Sequence, residues 1–130
     1  MKTPCPFCRT DEALLANRLA YARLDKFPVT PGHLLIMPVR HEANFFATNS
    51  AELEAVWALV AESKALLDTK YHPDGYNLGV NVGEVAGQTI AHAHLHLIPR
   101  YRGDVENPRG GVRGVIPAKQ QYQQNTKEPR

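Results

Sequence analysis

The sequence predicts an α+β domain: an antiparallel sheet with one main helix on a face. Three observations carry this. Short runs of strand character are separated by the turn signals PVTPG (28–32), Pro73-Asp74-Gly75 and GEVAG (83–87). One long segment, Leu53 to Leu67, has apolar residues at helical spacing. The chain has 130 residues, 43% of them hydrophobic, which fits one compact domain with an ordinary core.

The opening MKTPCPFCRT is rich in Cys and Pro and reads as a small knuckle or arm, and residues 11–17 read as a short helical turn. YARLDKF (21–27) and HLLIMPV (33–39) read as a hairpin around PVTPG, with Pro38 ending the second strand or pushing it to an edge. In the helix, Leu53, Val56, Trp57, Val60, Lys64 and Leu67 share the periodicity, and all but Lys64 are apolar. Asn49 with Glu52 has the spacing of a capping box. The pattern fades near Thr69. YNLGVNV (76–82) reads as a strand, and residues 89–98 as another. After Arg100 the composition turns to Gly, Pro, Gln and Arg. Residues 1–100 are therefore expected to form the domain, arm included. Residues 101–130 are expected to form an extended tail, partly ordered by packing on the body or a partner subunit and frayed after about Tyr122.

The formal charge is +2, from 15 basic and 13 acidic residues, so no basic footprint for nucleic acid is expected. No run approaches the roughly 18 apolar residues of a membrane helix. The N-terminus has no apolar segment after its Lys, so the expected compartment is the cytoplasm, where the only two cysteines, Cys5 and Cys8, stay reduced.

TIAHAHLHLIPR (89–100) sets three histidines at alternate positions. In a strand, His92, His94, His96 and Ile98 would share one face, with Ala93, Leu95 and Leu97 on the other. Neighbours at i and i+2 stand roughly 6.6 Å apart, and i and i+4 roughly 13 Å. Zinc holds nitrogens at about 2.0–2.1 Å, so an unbroken strand does not easily bring all three imidazoles to one ion. A row in which each ring has its own task is the stronger reading. A neutral imidazole is nucleophilic near pH 7 and forms covalent intermediates with phosphorus or acyl carbon. Its second nitrogen must then be held by an acceptor, while flanking imidazoles polarise phosphate oxygens or pass a proton to the leaving group.

His92-Ala93-His94-Leu95-His96-Leu97-Ile98 resembles the H-φ-H-φ-H-φ-φ signature of the histidine-triad (HIT) family of nucleotide hydrolases and transferases. Asp25-Lys26-Phe27-Pro28 with Pro31-Gly32-His33 is similar to the family's second block. Asn77, Asn81 and Gly87-Gln88-Thr89 are similar to its third. The similarity runs over about residues 5 to 101, and Arg109-Gly110-Gly111-Val112-Arg113 resembles extensions of some bacterial members. The resemblance implies a HIT-like fold, with a five-stranded antiparallel sheet, one main helix and a short N-terminal helix, and a homodimer with a purine nucleotide in a cleft over the sheet. It implies that His94 attacks the α-phosphorus and that water then releases a nucleoside monophosphate. It assigns the phosphate to His96 and Asn81, places Asn77 among the nucleotide-binding residues, and adds His33 and His92 to the catalytic cluster. Asp25 would bind the ribose hydroxyls, and Gln88 and Thr89 would stand on the leaving-group side. As structural alternatives, Asn77 and Asn81 would cap turns, Thr89 would start a strand and Asp25 would belong to a turn.

CPFC is a C-x-x-C without the βαβ context of a redox dithiol, and two thiols alone cannot complete a structural zinc site. The resemblance to zinc-bearing members implies the set Cys5, Cys8, His41 and His92, with zinc structural and no metal needed for the chemistry. Two free thiols beside a surface His41 are the alternative, and His72 receives no role. The implied substrates are dinucleoside polyphosphates of the diadenosine tetraphosphate kind, or nucleoside phosphoramidates. Arg102, Arg109 and Arg113 would reach a polyphosphate from the tail, or form a solvated basic surface. The competing functions are a nucleotide-binding interaction module with incidental turnover, and a zinc-dependent hydrolase using an H-x-H pair.

Overall fold

The structure, a computed structural model, describes residues 4–122. The expected frayed end after Tyr122 lies outside them. Five antiparallel strands form one sheet in the order β1-β2-β3-β5-β4: β1 (Leu15–Ala16), β2 (Ala20–Leu24), β3 (Leu34–Pro38), β4 (Gly75–Val80) and β5 (Leu95–Arg100). The single α-helix among the described residues, α1 (Ser50–Tyr71), connects the β3 side of the chain to β4 and packs on β2 and β3. The expected five-stranded sheet with one main helix is therefore present.

Register explains why the sheet has two unlike faces. Ala22 pairs with Ile36, Ile36 with Leu95 and Leu34 with Leu97. With Val56, Leu59 and Leu67 of α1, these residues form the main core. On the other face Tyr21 pairs with Met37, Arg23 with Leu35 and Leu35 with His96. There the N-terminal arm lays Phe7 on Tyr21, Leu35 and Met37 as a second, smaller core. The histidine face is thus covered by an arm, not by a helix, and part of it stays open.

Several expectations are corrected. Residues 11–17 are not helical: a turn leads into β1, whose pairing with Leu24's strand (Leu15 to Ala22, Ala16 to Tyr21) overrides local propensity. The short N-terminal helical piece is instead a 3-10 turn at Pro6–Cys8. The buried stripe of α1 is Glu52, Val56, Leu59, Ser63 and Leu67, whereas Leu53 and Trp57 are exposed and Lys64 faces Asp68 at 2.7 Å. The tail is not simply extended. It folds into 3-10 turns at Gly111–Val115 and Pro117–Lys119, the first packed against β4.

The capping box does form. The Glu52 N–H donates to Asn49 Oδ1 at 2.8 Å and the Asn49 N–H to Glu52 Oε1 at 3.0 Å. Glu52 also takes Arg40 Nη2 and Nε at 2.9 and 3.0 Å, and the Arg40 guanidinium holds its carboxyl below the usual range. One buried carboxylate therefore ties the helix start to the segment carrying His41. Glu52→Ala is expected to cost about 1–3 kcal/mol in urea unfolding, through loss of the cap and an unpaired Arg40. A midpoint equal to wild type would contradict this role. At the other end of α1, Gly32 (φ +87°) lets the β2–β3 turn approach closely: a Cβ there would lie 3.0 Å from Leu67 and Tyr71.

Candidate functional site

β5 begins at Leu95, so His92 and His94 precede the paired strand. The approach bends where the Ala93 N–H donates to the Glu42 carbonyl at 2.6 Å and the His92 N–H to the Ile90 carbonyl at 2.8 Å. The expected unbroken strand over 89–98 is thereby corrected, and the bend separates the rings' tasks. His92 is fully buried. Its Nε2–H donates to the Pro38 carbonyl at 2.8 Å, which leaves the Nδ1 lone pair facing Cys5 Sγ at 3.5 Å and Cys8 Sγ at 3.7 Å. His41 Nδ1 lies 3.1 Å from Cys8 Sγ.

His94 is held by its own neighbour. Its Nδ1–H donates to the His92 carbonyl at 2.8 Å, so Nε2 carries the free lone pair. Its ring lies edge-on between Phe7 (centroids 4.9 Å apart) and His96 (5.1 Å), with 7% of its surface exposed.

A second chain of tautomers fixes His96. The Val29 N–H donates to His33 Nδ1 at 3.2 Å, which puts the His33 proton on Nε2. That proton faces His96 Nδ1 at 2.9 Å, with Asp25 Oδ2 at 3.5 Å. His96 must then carry its own proton on Nε2, as a neutral donor. Burial pushes the His33 pKa down. His96 is pushed down to about 4, first by burial and then by the charges of His94 and His33. An unfolded histidine titrates near 6.5. Between pH 6.5 and 4 the unfolded chain therefore binds a proton that folded His96 refuses, and acidification favours unfolding. From pH 7 to 5 the wild type is expected to lose more stability to urea than His96→Asn; equal losses would refute this.

Two cavities lie beside the rings that His94 touches, one beside Phe7 and one beside His96. One of about 150 Å³ lies under the arm, lined by Phe7, Arg23, Asp25, Phe27, Leu35 and Ile90. The other, about 440 Å³, lies toward the tail and is lined by His33, Asn81, His96, Ile98, Val112 and Val115. Asn77 also lines the second, and its Oδ1 accepts Arg100 Nη1 at 2.6 Å. Gln88 does not open onto either. Its side chain clips its own loop, donating to the Ala43 and Ile90 carbonyls at 2.7 and 3.0 Å and accepting the Gly83 N–H at 2.9 Å. Thr89 is exposed on a separate cleft with Gln88, Gly87 and Ala91.

The tail arginines do not point at the histidines. Arg113 donates to the Lys119 and Gln120 carbonyls at 2.9 and 3.2 Å. Arg109 and Arg113 both stack on Tyr122, and Arg102 lies 3.9 Å from Asp74. Sequence reasoning missed Phe7, whose only signal was an aromatic between the two cysteines. It also missed Arg23, buried with Nη2 on Glu12. Arg23 Nε and Ser63 Oγ are the buried side-chain polar atoms without a hydrogen-bond partner among the described residues.

The family model described as the HIT domain matches residues 9–103. The chain belongs to the HIT family. Among curated relatives, this HIT domain is 41% identical over 85 residues to an uncharacterized 16.1 kDa HIT-like protein of Mycoplasma pneumoniae, covering 65% of this chain and 59% of that protein. It is 32% identical over 105 residues to an AP-4-A phosphorylase of Mycobacterium tuberculosis (78% and 54%). It is 30% identical over 99 residues to a bis(5'-adenosyl)-triphosphatase of Dictyostelium discoideum (76% and 66%). The chain thus spans between about half and two thirds of the length of these relatives. Among solved structures it is similar to a HIT family protein from Bacillus anthracis (34% identity, TM-score 0.72, covering 77% and 75%). It is also similar to a Zn-bound histidine triad family protein from Mycobacterium smegmatis (28%, 0.70, 79% and 79%).

In this HIT domain the ligand atoms of Cys5, Cys8, His41 and His92 all lie within 4.8 Å of one another. With zinc–sulfur bonds near 2.3 Å and zinc–nitrogen bonds near 2.0 Å, the edges of a tetrahedral site are roughly 3.3–3.8 Å. The distances of 3.1, 3.5 and 3.7 Å around Cys8 and His92 match that scale. The donor set therefore fits zinc in chemistry and geometry, with the Pro38 carbonyl orienting His92 from behind. No helix among the described residues is long and apolar enough to cross a membrane.

Proposed function

We propose that this HIT domain is a nucleotidyl hydrolase or transferase that acts at the α-phosphorus of a purine nucleotide through His94. One observation carries the reading: the His94 Nδ1 proton is committed to the His92 carbonyl, which leaves the lone pair on Nε2, in a ring set between those of Phe7 and His96. Dinucleoside polyphosphates are the favoured substrates and nucleoside phosphoramidates the alternative. The names of the phosphorylase and triphosphatase relatives support the first.

In the proposed mechanism the base enters the cavity under the arm. Its lining of Phe7, Leu35 and Ile90 offers apolar surface to a face of the base. Asp25 at its edge accepts from the ribose hydroxyls. His94 Nε2 attacks phosphorus, a P–N bond forms, and the bond to the leaving group breaks with its electron pair. His96 Nε2–H donates to a non-bridging oxygen, and Asn81 adds its amide. Water then attacks phosphorus and gives one proton to solvent, and the P–N electron pair returns to His94 Nε2 as the nucleoside monophosphate leaves. Gln88 contributes by holding the 83–90 loop, and Thr89, on a separate cleft, takes no part in this arrangement. Zinc on Cys5, Cys8, His41 and His92 would supply a cross-link between arm and sheet. It would keep the His92 carbonyl where His94 needs it, and the cycle requires no metal in the cleft. A homodimer is supported by the exposed Leu53 and Trp57 on α1 and by the place of β4 at the edge of the sheet among the described residues. The modest charge of +2 and the absence of a basic stripe favour a small-molecule partner over nucleic acid.

The reading is tested by mixing the protein with α-³²P-labelled diadenosine tetraphosphate or adenosine phosphoramidate, quenching in base and mapping the label. The expected result is AMP release with phosphorus on His94. Product formation with no label at residue 94 would overturn it.

A further inference from the structure

We infer that the tail completes a second subsite, which holds the leaving-group nucleoside of a dinucleoside polyphosphate. The inference rests on the nucleotidyl-transfer reading above and specifies the substrate class.

Position comes first. The ring of His94 touches Phe7 of the arm-side cavity on one side and His96 of the tail-side cavity on the other. A nucleotide with its base under the arm and its α-phosphorus at His94 therefore continues past His96 and Asn81, the donors at the mouth of the tail-side cavity. Size comes next. At about 440 Å³ this cavity is nearly three times the arm-side one and lies within the range of small-molecule sites. An amine leaving group does not need such a volume, and a second nucleoside does.

The wall is built, not incidental. Gly110 (φ +91°) sits where a Cβ would fall 1.9 Å from the Gln120 carbonyl, so only glycine lets the two tail segments close together. Arg113 fastens the same closure through the Lys119 and Gln120 carbonyls, and Arg109 and Arg113 stack on Tyr122 at 5.5 and 4.8 Å. These contacts hold Val112 and Val115 over the cavity although they are 61% and 77% exposed and belong to neither core.

The chemistry of the lining selects the occupant. Among the described residues, no Lys or Arg lines this cavity, so it offers nothing for a polyphosphate chain beyond His33, His96 and the amides of Asn77 and Asn81. Val29, Ile98, Val112 and Val115 provide apolar surface for a flat ring, and the two amides can meet the polar edge of a base. The phosphates are thus left to the histidine cluster, and the tail receives the nucleoside beyond them.

The test compares diadenosine tetraphosphate with adenosine phosphoramidate, which donate the same nucleotidyl group but differ in leaving group. In Val112→Trp, which fills the cavity, and in Val115→Ser, which shrinks its apolar wall, the ratio of kcat/KM for the dinucleotide over the phosphoramidate is expected to fall. The fall should be about 10-fold or more in the tryptophan variant, carried mainly by KM. Thermal melting beside wild type verifies the fold, and the serine variant carries the test if the tryptophan does not fold. An unchanged ratio in a variant that melts like wild type overturns the subsite. Wild-type turnover of the phosphoramidate, with label on His94 but no turnover of the dinucleotide, also overturns the subsite and leaves the role of His94 standing. No label on His94 from either substrate overturns the reading beneath both.

Discussion

His94→Ala is expected to release AMP at least about 1,000-fold more slowly than wild type, from either substrate. In the proposed mechanism the substitution removes the atom that bonds to phosphorus. It leaves the neighbouring donors of His96, His33 and Asn81 in place, so some charge stabilisation survives. Binding should change far less than turnover, because the cavity proposed for the base is lined by Phe7, Arg23 and Leu35 rather than by His94. The expected pattern is a collapse in kcat with KM within a few-fold of wild type, measured in steady state with chromatographic detection of AMP. A variant within tenfold of wild type would remove His94 from the mechanism. Tight binding by the wild type without turnover would point to an interaction module instead. Turnover retained in His94→Ala, lost to a chelator and restored by zinc would point to the metal-dependent hydrolase.

Removing metal is expected to act on stability before it acts on rate. At free zinc a thousandfold above its dissociation constant, binding to the folded state alone contributes about 4 kcal/mol. For a chain of this size that corresponds to roughly 10–20 °C in melting temperature. Treatment with 1,10-phenanthroline, or the Cys8→Ser change, should lower Tm by that order. Elemental analysis should find about one zinc per wild-type chain and much less in the variant. At temperatures below the lowered transition, turnover should persist, because no ligand of the set faces the cleft. Activity that vanishes on chelation while the melting curve stays fixed would contradict the structural role.

Much of the fold could be read from local pattern. The capping box, the β2–β3 hairpin around PVTPG and the end of β3 at Pro38 each depend on residues close in sequence, and each is present. The parts that were not legible depend on distant partners. Strand β1 is two residues long and exists because it pairs with β2. The buried stripe of α1 runs through Glu52 and Ser63, polar residues that a hydrophobic period does not select. Glu52 is tolerated there because Arg40 and the cap satisfy it. In the site, the alternating histidines marked the cluster, but the bend that turns His92 to the cysteines is set by Glu42 and Pro38, from other segments. The placement of Asp25, His33 and Asn81 around His96 needed the resemblance as well as the pattern. The seat of the tail was hidden altogether, since a Gly-Pro-Arg-Gln composition reads as loose chain until Gly110 is found against Gln120.

The two unequal cores give the molecule two separable units of opening. The helix side is sealed by nine fully packed residues, whereas the arm side rests on Phe7, Tyr21, Leu35 and Met37. Detaching the arm breaks the Tyr21 hydroxyl's bond to the Phe7 carbonyl, the Arg23 bond to the Pro6 carbonyl and the contacts of Cys5 and Cys8 with His92 and His41, but leaves the pairings of β2 to β5 and the helix intact. Native-state hydrogen exchange should therefore show an arm that breathes at a fraction of the global unfolding free energy. Because Phe7 backs the ring of His94, each such excursion frees that ring on one side without unfolding the protein.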